Sequence, residues 1–115
     1  MTIADTGAAL RAGKFSVREY TEDTLRRVAD ARERLNAFIT ITDWSARARA
    51  ALLDEELARG IDRGPLHGIA VAHKDNIFTR GVRTTAGSRI FADFIPDQDA
   101  EIVRQLHEAG AIVIG

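Results

Sequence analysis

The sequence contains no cysteine, which excludes disulfide bridges, a thiolate nucleophile and Cys-type metal sites while leaving the redox compartment open. No apolar run approaches the roughly 20 residues that a membrane span requires, and residues 1–5 lack the charged and then apolar stretches of a secretory leader. A membrane is therefore not an expected partner, and the cytoplasm is the default compartment. Charge of one sign is not in excess either: the formal net charge is -1, with acidic and basic residues interspersed. There is no basic stripe for a phosphate backbone and no polybasic anchor for acidic lipid, so direct binding of nucleic acid is not expected. Internal repeats and low-complexity segments are absent. Lysine is the scarcest charged residue, since only Lys14 and Lys74 among 16 basic residues are not arginine. What remains is ordinary for a folded protein, with 45% hydrophobic and 29% charged residues in a chain of 115, a length that supports one core.

Local patterns predict the elements. Ser16-Val17-Arg18-Glu19 fits a capping box, in which the serine oxygen accepts from a free backbone N–H and the glutamate reaches back to the cap. Val17, Leu25, Val28, Ala31 and Leu35 then recur at helical spacing, giving a one-faced helix to about Leu35. A shorter helix is expected before it, over residues 3–11. Residues 37–42, Ala-Phe-Ile-Thr-Ile-Thr, read as a strand. Asp43 is expected to cap a helix over residues 44–59, with Glu55 and Arg59 at i,i+4 spacing and Gly60 as its stop. After the turn signal Arg63-Gly64-Pro65, residues 69–73 are almost continuously apolar, as expected of a strand covered on both faces and central in a sheet. Asp97, Asp99 and Glu101 crowd the start of a helix facing inward through Val103, Leu106 and Ala109, and residues 111–114 form another buried-type strand. This order predicts an α/β fold with right-handed crossovers, in which helices pack on a mixed β-sheet. Residues 1–60 form its mainly helical segment and residues 64–115 its α/β part. The chain stops directly after an apolar strand, which reads as a truncation, so residues 1–115 are expected to be a partial domain.

Lys14 lies in a turn, Ala12-Gly13-Lys14-Phe15, where a solvated charge is sufficient explanation. Lys74 is more informative. Strand alternation puts Ala70, Ala72, Lys74 and Asn76 on one face and Ile69, Val71, His73 and Asp75 on the other. Small neighbours leave room for a second element to approach the lysine, and an amine desolvated there gives up its proton more readily and can act as a base. Position alone, however, favours a lysine that snorkels to water or pairs with Asp75. The surrounding residues shift that balance. The run from Gly64 through Pro65-Leu66-His67-Gly68-Ile69-Ala70-Val71-Ala72-His73-Lys74-Asp75-Asn76 is followed by Thr84-Thr85-Ala86-Gly87-Ser88, Phe94-Ile95-Pro96-Asp97, Asp99-Ala100 and Ala109-Gly110-Ala111-Ile112-Val113-Ile114-Gly115. This ordered series resembles the amidase signature family, densely over about the last 50 residues and only in pattern over the helical first half.

The resemblance implies an enzyme that hydrolyses or transfers amides, and some esters, through a Ser–cis-Ser–Lys triad. The lysine takes a proton from the bridging serine, which activates the nucleophilic serine. By its place in the motif Lys74 is the catalytic lysine. The two serines and the oxyanion-hole amides belong to a Gly/Ser-rich segment beyond the end of this chain, so the chain alone is expected to be inactive. The implied partner is a small-molecule amide substrate; a homodimer of the full-length protein stays open.

Ser88 is a tempting substitute nucleophile, but Thr85-Ala86-Gly87-Ser88-Arg89 is not a Gly-x-Ser-x-Gly elbow, and Ser88 reads as a turn or helix-cap residue. Asp75 and Asn76 are expected to fix the loop after the strand by hydrogen bonds to backbone. His73 stands where the resemblance calls for an aliphatic residue, and alternation points it away from Lys74, so a packed, hydrogen-bonded histidine is expected. His67 and His73 are not at a recognised metal spacing and His107 lies on a separate helix, so no metal or cofactor is expected. Three other readings remain: Lys74 as a Schiff-base nucleophile, which borohydride trapping would reveal; a non-catalytic interaction module; and the amidase subunit of a tRNA-dependent amidotransferase.

Overall fold

Two helices begin with the same local device. In this computed structural model, which describes all 115 residues, Thr2 opens α1 (Ile3–Arg11) and Ser16 opens α2 (Val17–Leu35), each through a complete capping box. Ser16 Oγ accepts from Glu19 N at 3.0 Å, and Glu19 Oε2 accepts from Ser16 N at 2.7 Å. The two N–H groups left over at the start of α2, those of Val17 and Arg18, donate to the carboxylate of Asp54 at 2.7 and 3.0 Å. Asp54 lies on α3 (Asp43–Ala58), so one side chain both completes a cap and fixes the helix pair. Asn36 ends α2 in the left-handed conformation with φ 46°, a conformation that a short amide side chain tolerates.

The start of α3 differs from expectation. Asp43 is its first residue rather than its cap, and Thr42 occupies the cap position without a side-chain capping bond. The Thr42 hydroxyl is used elsewhere, donating to Val113 O at 2.9 Å, while its N–H donates to Ile114 O at 3.1 Å. Asp43 instead pairs with Arg47 at 2.6 Å, and its charge in the first turn complements the helix dipole.

Residues 37–42 are not a strand. Thr42 N to Ile114 O is the segment's one backbone bond to the neighbouring strand, too little for a ladder. The expected long strand at 69–73 is reduced to β1 (Ala70–Val71), which pairs in parallel with β2 (Ile112–Val113) in the register Ala70↔Ile112 and Val71↔Val113. It is not central in a sheet, because β2 is its sole partner. Within these residues no third strand reaches its other edge, and Ala72 is exposed where a covered face was expected. Isolated bonds prolong the pairing: Ile112 N to Ile69 O, Ile114 N to Val71 O, and His73 N to Gly115 O.

The fold is α/β, with helices against a small sheet. Its core is Leu10, Val17, Leu25, Ala46, Ala50, Leu53, Ile69, Ile112 and Ile114. Ala46, Ala50 and Leu53 form the inner stripe of α3, and two alanines there let α2 and β2 come close to its axis. The turn before β1 contains Gly68 at φ +77°, where a Cβ would lie 2.9 Å from Val17 Cγ2 and 3.2 Å from Leu10 Cδ1. Both backbone conformation and space therefore require glycine. After β1 the chain forms loops, a short 3-10 turn (Arg89–Phe91) and α4 (Glu101–Glu108) before returning as β2. Arg49 and Arg63 donate to the His107 and Glu108 carbonyls, which satisfies the C-terminal end of α4 from outside.

Candidate active site

The residues directly after β1 enter a cleft of about 340 Å³ that includes Ala72, His73, Lys74 and Asp75 on one side and residues 37–40 on another. Alternation holds from Val71 onward: Val71, His73 and Asp75 are partly buried and Ala72, Lys74 and Asn76 are exposed, whereas Ala70, expected on their face, is partly buried against the core beside the buried Ile69. Lys74 thus lies on the open face, and the desolvating second element expected beside it is not among these residues. The backbone around it is nevertheless fixed. His73 N donates to Gly115 O at 2.8 Å, while Lys74 O accepts from Asn76 N at 2.7 Å and Ile77 N at 2.9 Å, closing a tight turn.

Asp75 does not pair with Lys74. Its Oδ1 accepts from Thr85 N at 2.9 Å, and its Oδ2 accepts from the Thr85 hydroxyl and from Gly87 N at 3.4 Å. The Asp75 carbonyl accepts from Ala86 N at 2.7 Å. Burial pushes this carboxyl up, but the bonds from Thr85 and Gly87, with Arg83 nearby, outweigh it and hold the group below its ordinary value. Asp75 therefore ties down a loop by backbone bonds, as expected, although the loop is the one at residues 84–87 rather than the chain directly after the strand. Asn76 contributes through its backbone. The Lys74 ammonium is left without a salt bridge.

His73 is half-buried, and its Nδ1 lies 3.3 Å from Thr79 Oγ1, while Nε2 is buried without a partner. Burial lowers its pKa, opposed by the charge of Asp99. It is packed and bonded on one side. His67 is fully buried: its Nδ1 accepts from Arg63 N at 3.1 Å, which leaves Nε2–H to donate to Leu53 O at 3.0 Å. Both nitrogens are thereby used in packing the turn against α3. No three His, Asp or Glu side chains converge in a way that could hold a metal. Ser88 caps the 3-10 turn, its Oγ accepting from Ile90 N at 3.2 Å, and no serine lines the cleft.

Two residues of the motif make contacts that the sequence did not announce. Thr85 is joined to Asp75 across ten residues, a spacing that matches no helical or strand period. Gly115 lies under Phe38, where a Cβ would stand 2.5 Å from the ring and 2.6 Å from Thr40 O. That contact closes one wall of the cleft. What these residues present at the cleft is a primary amine beside a tight backbone turn, next to largely apolar walls and without a counter-charge.

The chain is similar over its whole length to known proteins. It is 44% identical over 115 residues to a glutamyl-tRNA(Gln) amidotransferase subunit from Alkaliphilus metalliredigens. It is 46% identical over 114 residues to the subunit of the same name from Halorhodospira halophila. The chain covers 23% of each of these relatives, so it spans about a quarter of their length. Among solved structures, the peptide amidase from Stenotrophomonas maltophilia superposes with a TM-score of 0.94 at 40% identity, over 100% of this chain and 24% of that one. Fatty acid amide hydrolase, at 21% identity and a TM-score of 0.92, shares the fold. The amidase family model matches residues 19–115, and with the motif, the fold and these relatives in agreement, the chain belongs to the amidase-signature family.

Proposed function

We propose that this chain is the lysine-bearing part of a hydrolase that cleaves carbon–nitrogen amide bonds, with Lys74 as the base of a Ser–cis-Ser–Lys triad. The observation that carries this reading is the unpaired Lys74 amine beside an Asp75 carboxylate whose oxygens are already occupied by Thr85 and Gly87. In the proposed reaction the neutral Lys74 amine accepts the proton of a bridging serine, which takes the proton of a nucleophilic serine as that oxygen attacks the amide carbonyl. The tetrahedral intermediate collapses to an acyl-enzyme, and the proton returns along the same path to the leaving amine. Water then releases the acyl group. Both serines and the oxyanion hole lie in the part of the protein outside these residues. The substrate is a small linear amide, and the compartment the cytoplasm.

A second reading, the amidase subunit of a tRNA-dependent amidotransferase, is favoured by the names of the relatives at 44% and 46% identity. Both readings need the same amide cleavage and differ in substrate. Assaying the full-length enzyme for ammonia release from simple carboxamides, and from glutamine, separates them. Carboxamide turnover without partner subunits supports the stand-alone hydrolase, and glutamine turnover that requires partner subunits supports the amidotransferase. Absence of both would end the amidase reading.

A further inference from the structure

We propose that Asp75 is a positioning residue for Lys74, acting by docking the turn at residues 84–87 onto the segment that carries the lysine; this rests on the reading of Lys74 as the base. Four hydrogen bonds join the two segments at this one residue. Three reach the carboxylate, from Thr85 N, the Thr85 hydroxyl and Gly87 N, and the fourth runs from Ala86 N to the Asp75 carbonyl. The docked turn is not one the chain adopts freely, since Ala86 has φ 51°, a left-handed conformation at a residue with a Cβ, followed by Gly87 at φ 66°. Such strain persists where the surroundings hold it in place, and Asp75 provides that hold.

The bonds made by Thr85 determine what the carboxylate can do. Asp75 follows Lys74 directly in sequence and would be the nearest available anion if it were free to turn. With Oδ1 and Oδ2 occupied by donors from the 84–87 turn, the amine stays unpaired. The backbone on the other side of Lys74 is fixed independently, by His73 N to Gly115 O, so releasing Asp75 would free one end of the lysine's anchorage and leave the other in place. An asparagine at this position keeps the shape but turns one acceptor into a donor, which would face the N–H groups of Thr85 or Gly87. The Thr85 methyl is not needed for this role; its hydroxyl is.

The test uses the full-length amidase that carries this chain, with Asp75→Asn, Thr85→Val, Thr85→Ser, the Asp75→Asn/Thr85→Val double variant and Lys74→Ala, assayed on one carboxamide. Active sites are counted by burst titration, and thermal unfolding is followed on the same samples. Displacement of a base by a fraction of an ångström should lower kcat per active site by about 10- to 100-fold in Asp75→Asn and Thr85→Val, with KM changed by less than about threefold. Thr85→Ser should restore kcat, and the double variant should be no worse than the weaker single variant, because the two residues act as one unit. A purely structural role would lower the melting temperature and the number of active sites while leaving kcat per site unchanged, and that result overturns the proposal. Should Asp75→Asn fail to fold, Thr85→Val against Thr85→Ser decides: equal kcat values sink it. Lys74→Ala separates the two levels. Full activity in that variant removes the reading on which the proposal rests, whereas inactivity there with unchanged Asp75→Asn and Thr85→Val removes Asp75 alone.

Discussion

Asp62 ties α1 to the turn that leads into β1. It accepts from Arg11 Nε at 2.6 Å and from Gly64 N at 2.9 Å, and these two bonds hold its carboxyl at about 2, against an ordinary 3.8. The folded state therefore binds this proton less readily than the unfolded chain. The stabilisation is complete above 3.8 and is lost as the pH falls toward about 2. With both side chains more than a third exposed, solvent screening keeps the effect small. Asp62→Asn should lower stability slightly at neutral pH and flatten the acid-side slope in this window, which urea titrations at several pH values would detect; an unchanged slope would mean the bond contributes nothing. Gly68→Ala is a larger change, because the added methyl meets Val17 and Leu10 in a left-handed backbone conformation. A loss of about 1–3 kcal/mol is expected, read as a lower urea midpoint. The exposure of Lys74, beside a half-buried His73, was legible from period-2 alternation. Its freedom from Asp75 was not legible, because that depends on Thr85, which the chain brings into contact only by folding.

Among the elements, helices were legible where their signals are local. The capping box at Ser16 spans four residues, and the structure begins α2 there. The first helix was expected over residues 3–11, and the structure places it at Ile3–Arg11, opened by a Thr2 capping box that the sequence reading had not singled out. The strand expected at residues 37–42 failed because β-propensity reports a side chain that fits a pleated surface, not the presence of a partner. Here the neighbouring backbone is reached at Thr42 alone. The same Thr42 bonds moved the start of α3, and no local pattern could announce them. Asp54 is the clearest hidden contributor, since it caps α2 from another helix. Asp54→Ala strips partners from two helix N–H groups and Ser16→Ala from one, so roughly 1–3 kcal/mol is expected for the former and about 1 kcal/mol for the latter. Chemical denaturation of the two variants side by side gives the comparison, and a milder Asp54→Ala would show that water replaces the carboxylate at the start of α2.

At the scale of the molecule, the chain exposes 7376 Å², whereas a compact monomer of its 12.6 kDa mass would expose about 6,200 Å². The excess is partly apolar. Ile90 is 88% exposed and Trp44 80%, and Phe78 and Phe91 flank Phe94 in a surface aromatic group. The 115-residue chain in isolation should accordingly bind a hydrophobic dye and sediment as concentration-dependent oligomers; a dye-silent monomer with a cooperative unfolding transition would contradict this. It should also hydrolyse no amide, since a proton acceptor without a nucleophile has nothing to activate. That Lys74 is the proton acceptor is tested most directly by the turnover of one carboxamide by the full-length enzyme carrying Lys74→Arg, where the positive charge remains but cannot be given up near neutral pH. A fall in kcat of about 100-fold or more, with the variant folded and its melting temperature preserved, is expected for loss of a general base. A kcat within about threefold of the unaltered enzyme would contradict the assignment, because a guanidinium could not have carried the proton.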